Sequence, residues 1–158
     1  MTAELFRPAV DGDIDGLLEL MRAFYEEDGS TPFVADAATS GLRALLRDPG
    51  HGRVWLIEHE GESAGYLVVT WGFSLEFHGR DAFIDELYVV PAHRGAGLGR
   101  QAVELAETAC RSYGAGALHL EVETGNERAH ALYRRSGFVD RGMRLMTKRL
   151  PGAAGDAP

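Results

Sequence analysis

The chain has 158 residues, of which 45% are hydrophobic and 25% are charged, a balance typical of a globular protein with one core of ordinary size. Its formal net charge of −8 disfavours nucleic acid as a partner and leaves a cationic small molecule open. The sequence shows no apolar run of about 18 residues and no basic leader before an apolar stretch, so we expect no membrane partner and a cytoplasmic location.

The first half of the chain is predicted to hold a strand, two helices and a hairpin. Asp11 or Asp13 could cap the first helix, because aspartate accepts hydrogen bonds from the free N–H groups of a helix start. Residues 71–75 could extend the hairpin or form a loop. The predicted elements are a strand at Leu5–Val10, a helix with apolar positions from Ile14 to Tyr25, a helix at Ala35–Arg47, and strands at Arg53–His59 and Ser63–Trp71 joined through residues 60–62.

The second half alternates strands with helices. A helix between two strands normally makes them parallel. The predicted elements are a strand at Ala82–Pro91, a helix from Leu98 that Gly114 ends, a strand at Leu118–Val122, a helix that Asn126 caps and Gly137 ends, and a strand at Met143–Arg149. We therefore predict one domain over residues 1–150 and a disordered tail over residues 151–158.

A glycine-rich turn separates the strand ending near Pro91 from the helix starting near Leu98. Residues 94–99 read Arg-Gly-Ala-Gly-Leu-Gly, and closely spaced glycines allow positive φ and a close approach of the backbone to a ligand. The free N–H groups of a helix start bind phosphate. A dinucleotide-binding turn would need a third glycine where the chain has Arg100. The turn therefore predicts a binding site for the pyrophosphate of a cofactor other than a dinucleotide.

Two motifs together identify a resemblance. The chain resembles the GNAT superfamily of N-acetyltransferases, whose acetyl-CoA motif, Arg/Gln-x-x-Gly-x-Gly/Ala, is met by Arg94, Gly97 and Gly99. The second family motif reads Asn-x-x-Ala-x-x-Leu-Tyr-x-x-x-Gly-Phe. It is met by Asn126, Ala129, Leu132, Tyr133, Gly137 and Phe138.

The resemblance implies an α/β fold of the α+β type, with a mixed, mostly antiparallel central sheet, a splayed parallel strand pair and about four helices. It also implies acetyl-CoA as cosubstrate. The pantetheine arm would lie along the strand, where a backbone N–H, that of Val89, would polarise the acetyl carbonyl. The residues predicted to bind the cofactor are Leu87, Tyr88, Val89, Arg94, Gly95, Ala96, Gly97, Leu98, Gly99, Arg100, Asn126 and Tyr133.

Acetyl transfer to an amine needs a base for the ammonium, whose pKa is about 10.4, and an acid for the departing thiolate. The tyrosine of the second motif is the proposed general acid in many family members, which implies that role for Tyr133; packing beside the sulfur is the other interpretation. Asp85 and Glu86 are the two candidates for the base, since the stretch resembles that of the polyamine acetyltransferases, in which two consecutive acids stand at these positions. For each of them, an acid at a sheet edge or one paired with arginine is the alternative interpretation. Alternation along a strand lets only one of them face the cleft, and a bulge would change which one.

The predicted acceptor is a small cationic primary amine that attacks directly in a ternary complex. Tyr25, Glu26 and Glu27 end the first predicted helix, where acids oppose the helix dipole, and in the superfamily the loop that follows lines the acceptor cleft. Trp71 and Glu76 lie in an aromatic stretch before the central strand and could hold an ammonium by cation–π contact and ion pairing. A solvated loop and an ordinary core are the alternatives for these two groups.

Other functions stay open at this point. The same fold could serve as a non-catalytic acyl-CoA-binding or regulatory module, or could acetylate a protein amino group. A homodimer is a further option. The six histidines show no ligand spacing with cysteine or acids, which predicts no metal site. The lone Cys110 indicates a reducing compartment and a buried, unreactive thiol.

Overall fold

A computed structural model of the chain describes residues 5–152. Short 3-10 segments lie at Asp11–Asp13 and Pro91–His93. The regular elements are β1 (Phe6–Pro8), α1 (Ile14–Asp28), α2 (Ala35–Arg47), β2 (Gly52–His59), β3 (Glu62–Ser74), β4 (Gly79–Val89), α3 (Leu98–Tyr113), β5 (Leu118–His119) and α4 (Glu127–Arg135).

The five strands form one sheet in sequence order. Strands β1 to β4 are antiparallel, whereas β5 runs parallel to β4 through the pairs Ala82–Leu118 and Phe83–His119. The predicted fold class, a mixed sheet with one parallel pair and four helices, is confirmed. Pairing with β5 ends at Phe83, while β4 continues to Val89. Within residues 5–152, the last part of β4 therefore has a strand on one side only.

The two faces of the sheet are covered by different helices. Helix α3 buries Leu98, Ala102, Val103, Ala106 and Cys110 against one face. Helices α1 and α2 cover the other face, where their buried residues pack with those of β2, β3 and β4. The buried residues of α1 recur at helical spacing, so they lie on one side of the helix. The buried positions of α1 are Ile14, Leu17, Leu20 and Met21. Burial raises the pKa of the Cys110 thiol to about 11, so this cysteine is an unreactive part of the core.

A bulge interrupts β4 at the predicted acid pair. Glu86 pairs with Val68 and Ile84 pairs with Val69, so Asp85 is an extra residue without a partner on β3. Such an insertion changes the alternation of side chains at that point. Asp85 and Glu86 are therefore not held to opposite sides of the sheet by strict alternation.

Several predicted strand boundaries are wrong. The predicted strand at Met143–Arg149 does not form, and Met143, Leu145 and Met146 are 66%, 68% and 92% exposed. Alternating apolar residues favour a strand only where a partner strand exists, and none pairs with this segment within residues 5–152. The predicted strand at Leu118–Val122 ends at His119 for the same reason.

Smaller differences follow from local chemistry. Strand β1 ends at Pro8, because proline has no N–H to donate to the ladder. Strand β3 continues to Ser74, which decides between the two options for residues 71–75. Most of the predicted disordered tail lies outside the described residues. Within residues 5–152, no helix combines the length and apolar character needed to cross a bilayer.

Candidate active site

The glycine turn has the backbone that the sequence predicts. Gly95 and Gly97 have φ of 85° and 80°, the left-handed region in which a side chain is strained. Gly97 is the N-cap of α3, and the first hydrogen bond of the helix runs from Gln101 N–H to Gly97 O at 3.1 Å. The N–H groups at the start of α3 therefore have no partner within the helix and can bind an anion.

A cavity of about 1090 Å³ lies between this turn and α4. Of the twelve residues predicted to bind the cofactor, only Ala96 does not line it. Asn126 caps α4 by accepting a hydrogen bond from Ala129 N–H at 3.1 Å, which fixes the start of the helix. The two motifs thus face each other across one space. The cavity is lined by segments 87–89, 93–95, 97–100, 123–136 in part, and by Phe24, Glu27 and Asp28.

Tyr133 projects from α4 into this cavity. Burial raises the pKa of its phenol above the ordinary value, because the surrounding protein disfavours the phenolate. The hydroxyl therefore carries its proton at neutral pH. Phe138 packs edge-on against the ring, with the centroids 5.7 Å apart.

Arg94 is held beside the cavity by two contacts. Its Nε donates to Val89 O at 2.7 Å, and its terminal nitrogen lies 2.7 Å from the Glu27 carboxylate. Arg100 is exposed and pairs loosely with Glu104 at 3.7 Å. Arg94 therefore links the end of α1 to the end of β4, whereas Arg100 is free to reorient.

A second cavity of about 390 Å³ joins the first, since Phe24, Asp28 and Glu123 line both. Five of the residues that line it carry carboxylates, and none of its lining residues is basic. The lining residues are Phe24, Tyr25, Asp28, Ser30, Thr31, Asp85, Glu86, Glu121, Val122 and Glu123.

The bulge brings both predicted base candidates to this second cavity. Glu86 accepts hydrogen bonds from the hydroxyls of Tyr25 at 2.5 Å and Tyr66 at 2.8 Å. Burial raises the pKa of Glu86, and the two phenol donors partly oppose that increase. Burial and the contact with Glu86 raise the pKa of both tyrosines, so they remain protonated donors.

Asp85 differs from its neighbour. It has no hydrogen bond or ion pair to any residue between 5 and 152, and part of its side chain is open to the cavity. The protein around it nevertheless raises the pKa of its carboxyl by desolvation. Of the two acids, Asp85 is the one with free oxygens.

Comparison with known proteins agrees with this geometry. The sequence model of the acetyltransferase (GNAT) family matches residues 14–138. The chain belongs to the GNAT family of acetyltransferases. This acetyltransferase is 29% identical to a thialysine N-epsilon-acetyltransferase of Bos taurus, over 89% of the chain and 86% of the relative. It is 36% identical to a streptothricin acetyltransferase of Streptomyces lavendulae, over 87% of the chain and 70% of the relative.

Solved structures share the fold. An integron cassette protein, HFX_CASS3, from the mobile metagenome of Cole Harbour Salt Marsh has a TM-score of 0.84 and 37% identity, over 96% of this acetyltransferase and 93% of that chain. A predicted acetyltransferase of Clostridium acetobutylicum, solved with acetyl-CoA, has a TM-score of 0.78 and 17% identity, over 90% and 94% of the two chains. Enzymes of this family use acetyl-CoA, and the chain is an N-acetyltransferase.

Three predicted acceptor residues lie away from both cavities of the acetyltransferase. Trp71 stacks on Tyr113 with centroids 4.2 Å apart, and its ring N–H donates to Pro49 O at 3.0 Å. Glu76 is exposed and pairs with Arg141. Glu26 is exposed and lines neither cavity. The register explains the placement of Trp71, because it pairs with Ala82, ahead of the point where β4 and β5 separate.

Other residues of the site were not predicted. Tyr66 lies in the middle of β3 and looks like core in the sequence, yet its hydroxyl reaches Glu86. Glu121 and Glu123 follow β5, and the segment Leu-His-Leu-Glu-Val-Glu could have indicated them. The carboxyl ends of parallel strands lie at the same edge of a sheet, so polar residues there face a shared site.

Proposed function

We propose that this acetyltransferase transfers the acetyl group of acetyl-CoA to the primary amine of a small cationic molecule. The observation that carries the proposal is the cavity of about 390 Å³ with five carboxylates, which joins the larger cavity near Tyr133. None of these five carboxylates has an ion-pair partner within residues 5–152, and a group of carboxylates attracts an ammonium and repels anions. The relatives named for thialysine and streptothricin are consistent with such an acceptor.

The larger cavity fits acetyl-CoA. We propose that its pyrophosphate rests on the backbone N–H groups of residues 95–100, with Arg94 and Arg100 nearby. Along an antiparallel strand, successive N–H groups point to opposite sides. The Val90 N–H donates to Ala64 O on β3 at 2.9 Å, so the Val89 N–H points away from β3, toward the open side of β4. It is the proposed donor to the acetyl carbonyl oxygen.

Asp85 is the proposed base and Tyr133 the proposed acid. A carboxylate with free oxygens can take the proton of the ammonium, either directly or through water, whereas both Glu86 oxygens already accept phenol hydrogens. The neutral amine then attacks the carbonyl carbon, the C–S bond breaks as Tyr133 gives its proton to the sulfur, and the nitrogen, which becomes positively charged on attack, loses its second proton to solvent. The products are the acetylated amine and free CoA, and solvent restores the two protonation states. Tyr25 and Tyr66 act as positioning residues for Glu86.

An acceptor panel tests the function. Free thiol release from acetyl-CoA should be measured with diamines, polyamines, lysine analogues, aminoglycosides, neutral amino acids and a peptide amino terminus. We expect the highest kcat/KM for acceptors that carry a second cationic group. No release above hydrolysis for any acceptor would favour a non-catalytic acyl-CoA-binding module, and release with peptides alone would favour a protein acceptor.

We also propose a homodimer, supported by the exposed segment after α4. Val139, Met143, Leu145, Met146 and Leu150 are each at least 65% exposed, an arrangement that indicates a surface covered in an assembly. Light scattering during gel filtration should give the dimer mass for the full chain. Leu145→Glu should shift the mass to the monomer, and Leu75→Glu, at a leucine in a different segment that is even more exposed, should not. A monomeric full chain would overturn the proposal.

A further inference from the structure

Three potential metal ligands meet where the β2–β3 hairpin approaches the segment after β4. His59 ends β2, Glu60 follows it in the turn, and His93 ends the 3-10 segment before Arg94. One ligand atom from each of the three lies within 4.8 Å of the others. Glu60 and Gly61 have φ of 54° and 81°, the pattern of a type I′ hairpin turn, which fixes the position of Glu60.

The two imidazoles are placed as metal ligands would be. Their Nδ1 atoms are 3.1 Å apart, and the ring planes are nearly perpendicular, at 89°. Two nitrogens bound tetrahedrally to zinc, each at about 2.0–2.1 Å, lie about 3.3–3.4 Å apart. An ion between these atoms would therefore require only a small movement of the rings.

Glu62 supplies an independent indication. Its carboxylate lies 3.2 Å from His93 Nε2, and since a carboxylate only accepts, that nitrogen carries the hydrogen. In the neutral ring, Nδ1 then presents its lone pair toward His59. Metal-binding histidines typically donate their other N–H to a carboxylate in this way. The His93 side chain is only 9% exposed, so the ring is held in this orientation.

We propose that His59, Glu60 and His93 bind one divalent transition-metal ion of the zinc class, with Glu62 orienting His93. Two imidazoles favour zinc, nickel or copper over magnesium and calcium, which prefer oxygen ligands. Three protein ligands leave a fourth position to water. The ion would tie the hairpin turn to the segment that leads into Arg94, and the acetyl transfer described above does not require it.

Calorimetric titration of the full chain with zinc chloride, without chelators, tests the site. We expect one saturable site per chain and a higher melting temperature in the presence of zinc. His59→Ala and His93→Ala should each weaken binding at least 10-fold. Glu62→Gln, which keeps all three ligands, should weaken it about 10- to 100-fold. His51→Ala removes an exposed histidine outside the cluster and should leave affinity unchanged.

Circular dichroism separates lost ligands from lost folding, because each variant should keep the wild-type spectrum without metal. Substitution with cobalt should give the visible absorption of a four-coordinate ion in the wild type and in His51→Ala but not in His59→Ala. The absence of saturable binding would overturn the proposal, and so would binding that His51→Ala weakens as much as His59→Ala does. Unchanged affinity in Glu62→Gln would overturn its positioning role.

Discussion

The proposed cofactor side, which is the larger cavity, and the proposed acceptor side, which is the second cavity, are built in different ways. The proposed cofactor side presents backbone N–H groups from one stretch of the chain, residues 87–100, and is also lined by the capped start of α4. The acceptor side uses side chains from α1, β3, β4 and the segment after β5, which are far apart in sequence. A site made of backbone depends on glycine spacing, whereas a site made of side chains depends on tertiary packing. The cofactor side should therefore be broken by backbone changes and the acceptor side by isosteric changes of charge.

Gly97→Asp is expected to have the largest effect, abolishing acetyl-CoA binding. A side chain at φ of 80° is strained, and its charge would repel the pyrophosphate. Calorimetry with acetyl-CoA measures the loss. Gly114→Asp is the matched control, since Gly114 has φ of 82° at the other end of the same helix and borders neither cavity. Equal acetyl-CoA affinity in the two variants would contradict the proposal that the pyrophosphate binds at this turn.

Asp85→Asn should lower kcat/KM by about 100- to 10,000-fold near neutral pH, because a general base contributes that much. Since burial raises the pKa of Asp85, wild-type activity should be lost as the pH falls through that raised value, at a higher pH than for an ordinary aspartate. In Asp85→Asn this loss of activity at low pH should disappear. Its activity should instead rise as the pH approaches the amine pKa of about 10.4, because more of the amine is then already neutral.

Glu86→Gln is the matched comparison for Asp85→Asn. Glu86 is the next residue and also lines the second cavity, and glutamine keeps the shape of its side chain while removing the charge. The loss in Glu86→Gln should be smaller than that in Asp85→Asn, and the decline of activity at low pH should remain. Equal and pH-independent activity in both variants would reject a carboxylate base on β4.

Tyr133→Phe should lower kcat by about 10- to 1,000-fold, because it removes a proton donor used only in the transition state. The ring and its contact with Phe138 remain, so acetyl-CoA affinity should change little. Single-turnover kinetics isolates the chemical step. A wild-type rate for that step in Tyr133→Phe would contradict the acid role and indicate that Tyr133 only packs in the site.

Glu27→Gln should have the smallest effect. It should weaken binding of the acceptor, whereas binding of acetyl-CoA should stay the same or improve. Glu27 lines the larger cavity beside Asp28, which lines both cavities, so the loss of its charge should raise the acceptor KM only a few-fold. The Glu27–Arg94 pair is partly exposed, and such pairs contribute about 0.2–1 kcal/mol. Arg94, freed from its partner, should bind acetyl-CoA as well as before or better. Glu26→Gln is the control, because Glu26 borders neither cavity. A parallel loss for both substrates would contradict this arrangement, as would an equal effect of Glu26→Gln.

The C-terminal half shows where sequence patterns stop predicting structure. Met143–Arg149 has the alternation of a strand, but a strand needs a neighbour, and no partner covers it within residues 5–152. The histidine cluster shows the converse. His59 and His93 are distant in sequence and have no motif spacing, yet the hairpin brings their Nδ1 atoms to 3.1 Å.

The sequence by itself determined the family, the order of the main elements, the glycine turn and the cap at Asn126, because each depends on residues close together in the chain. Only the tertiary structure decided which acids share the second cavity, the proposed acceptor site. The bulge places Asp85 beside Glu86, Tyr25 and Tyr66 occupy both oxygens of Glu86, and the register of β3 carries Trp71 away from the cleft. These outcomes depend on strand register and on contacts between remote segments, and local patterns of residue type do not specify either one.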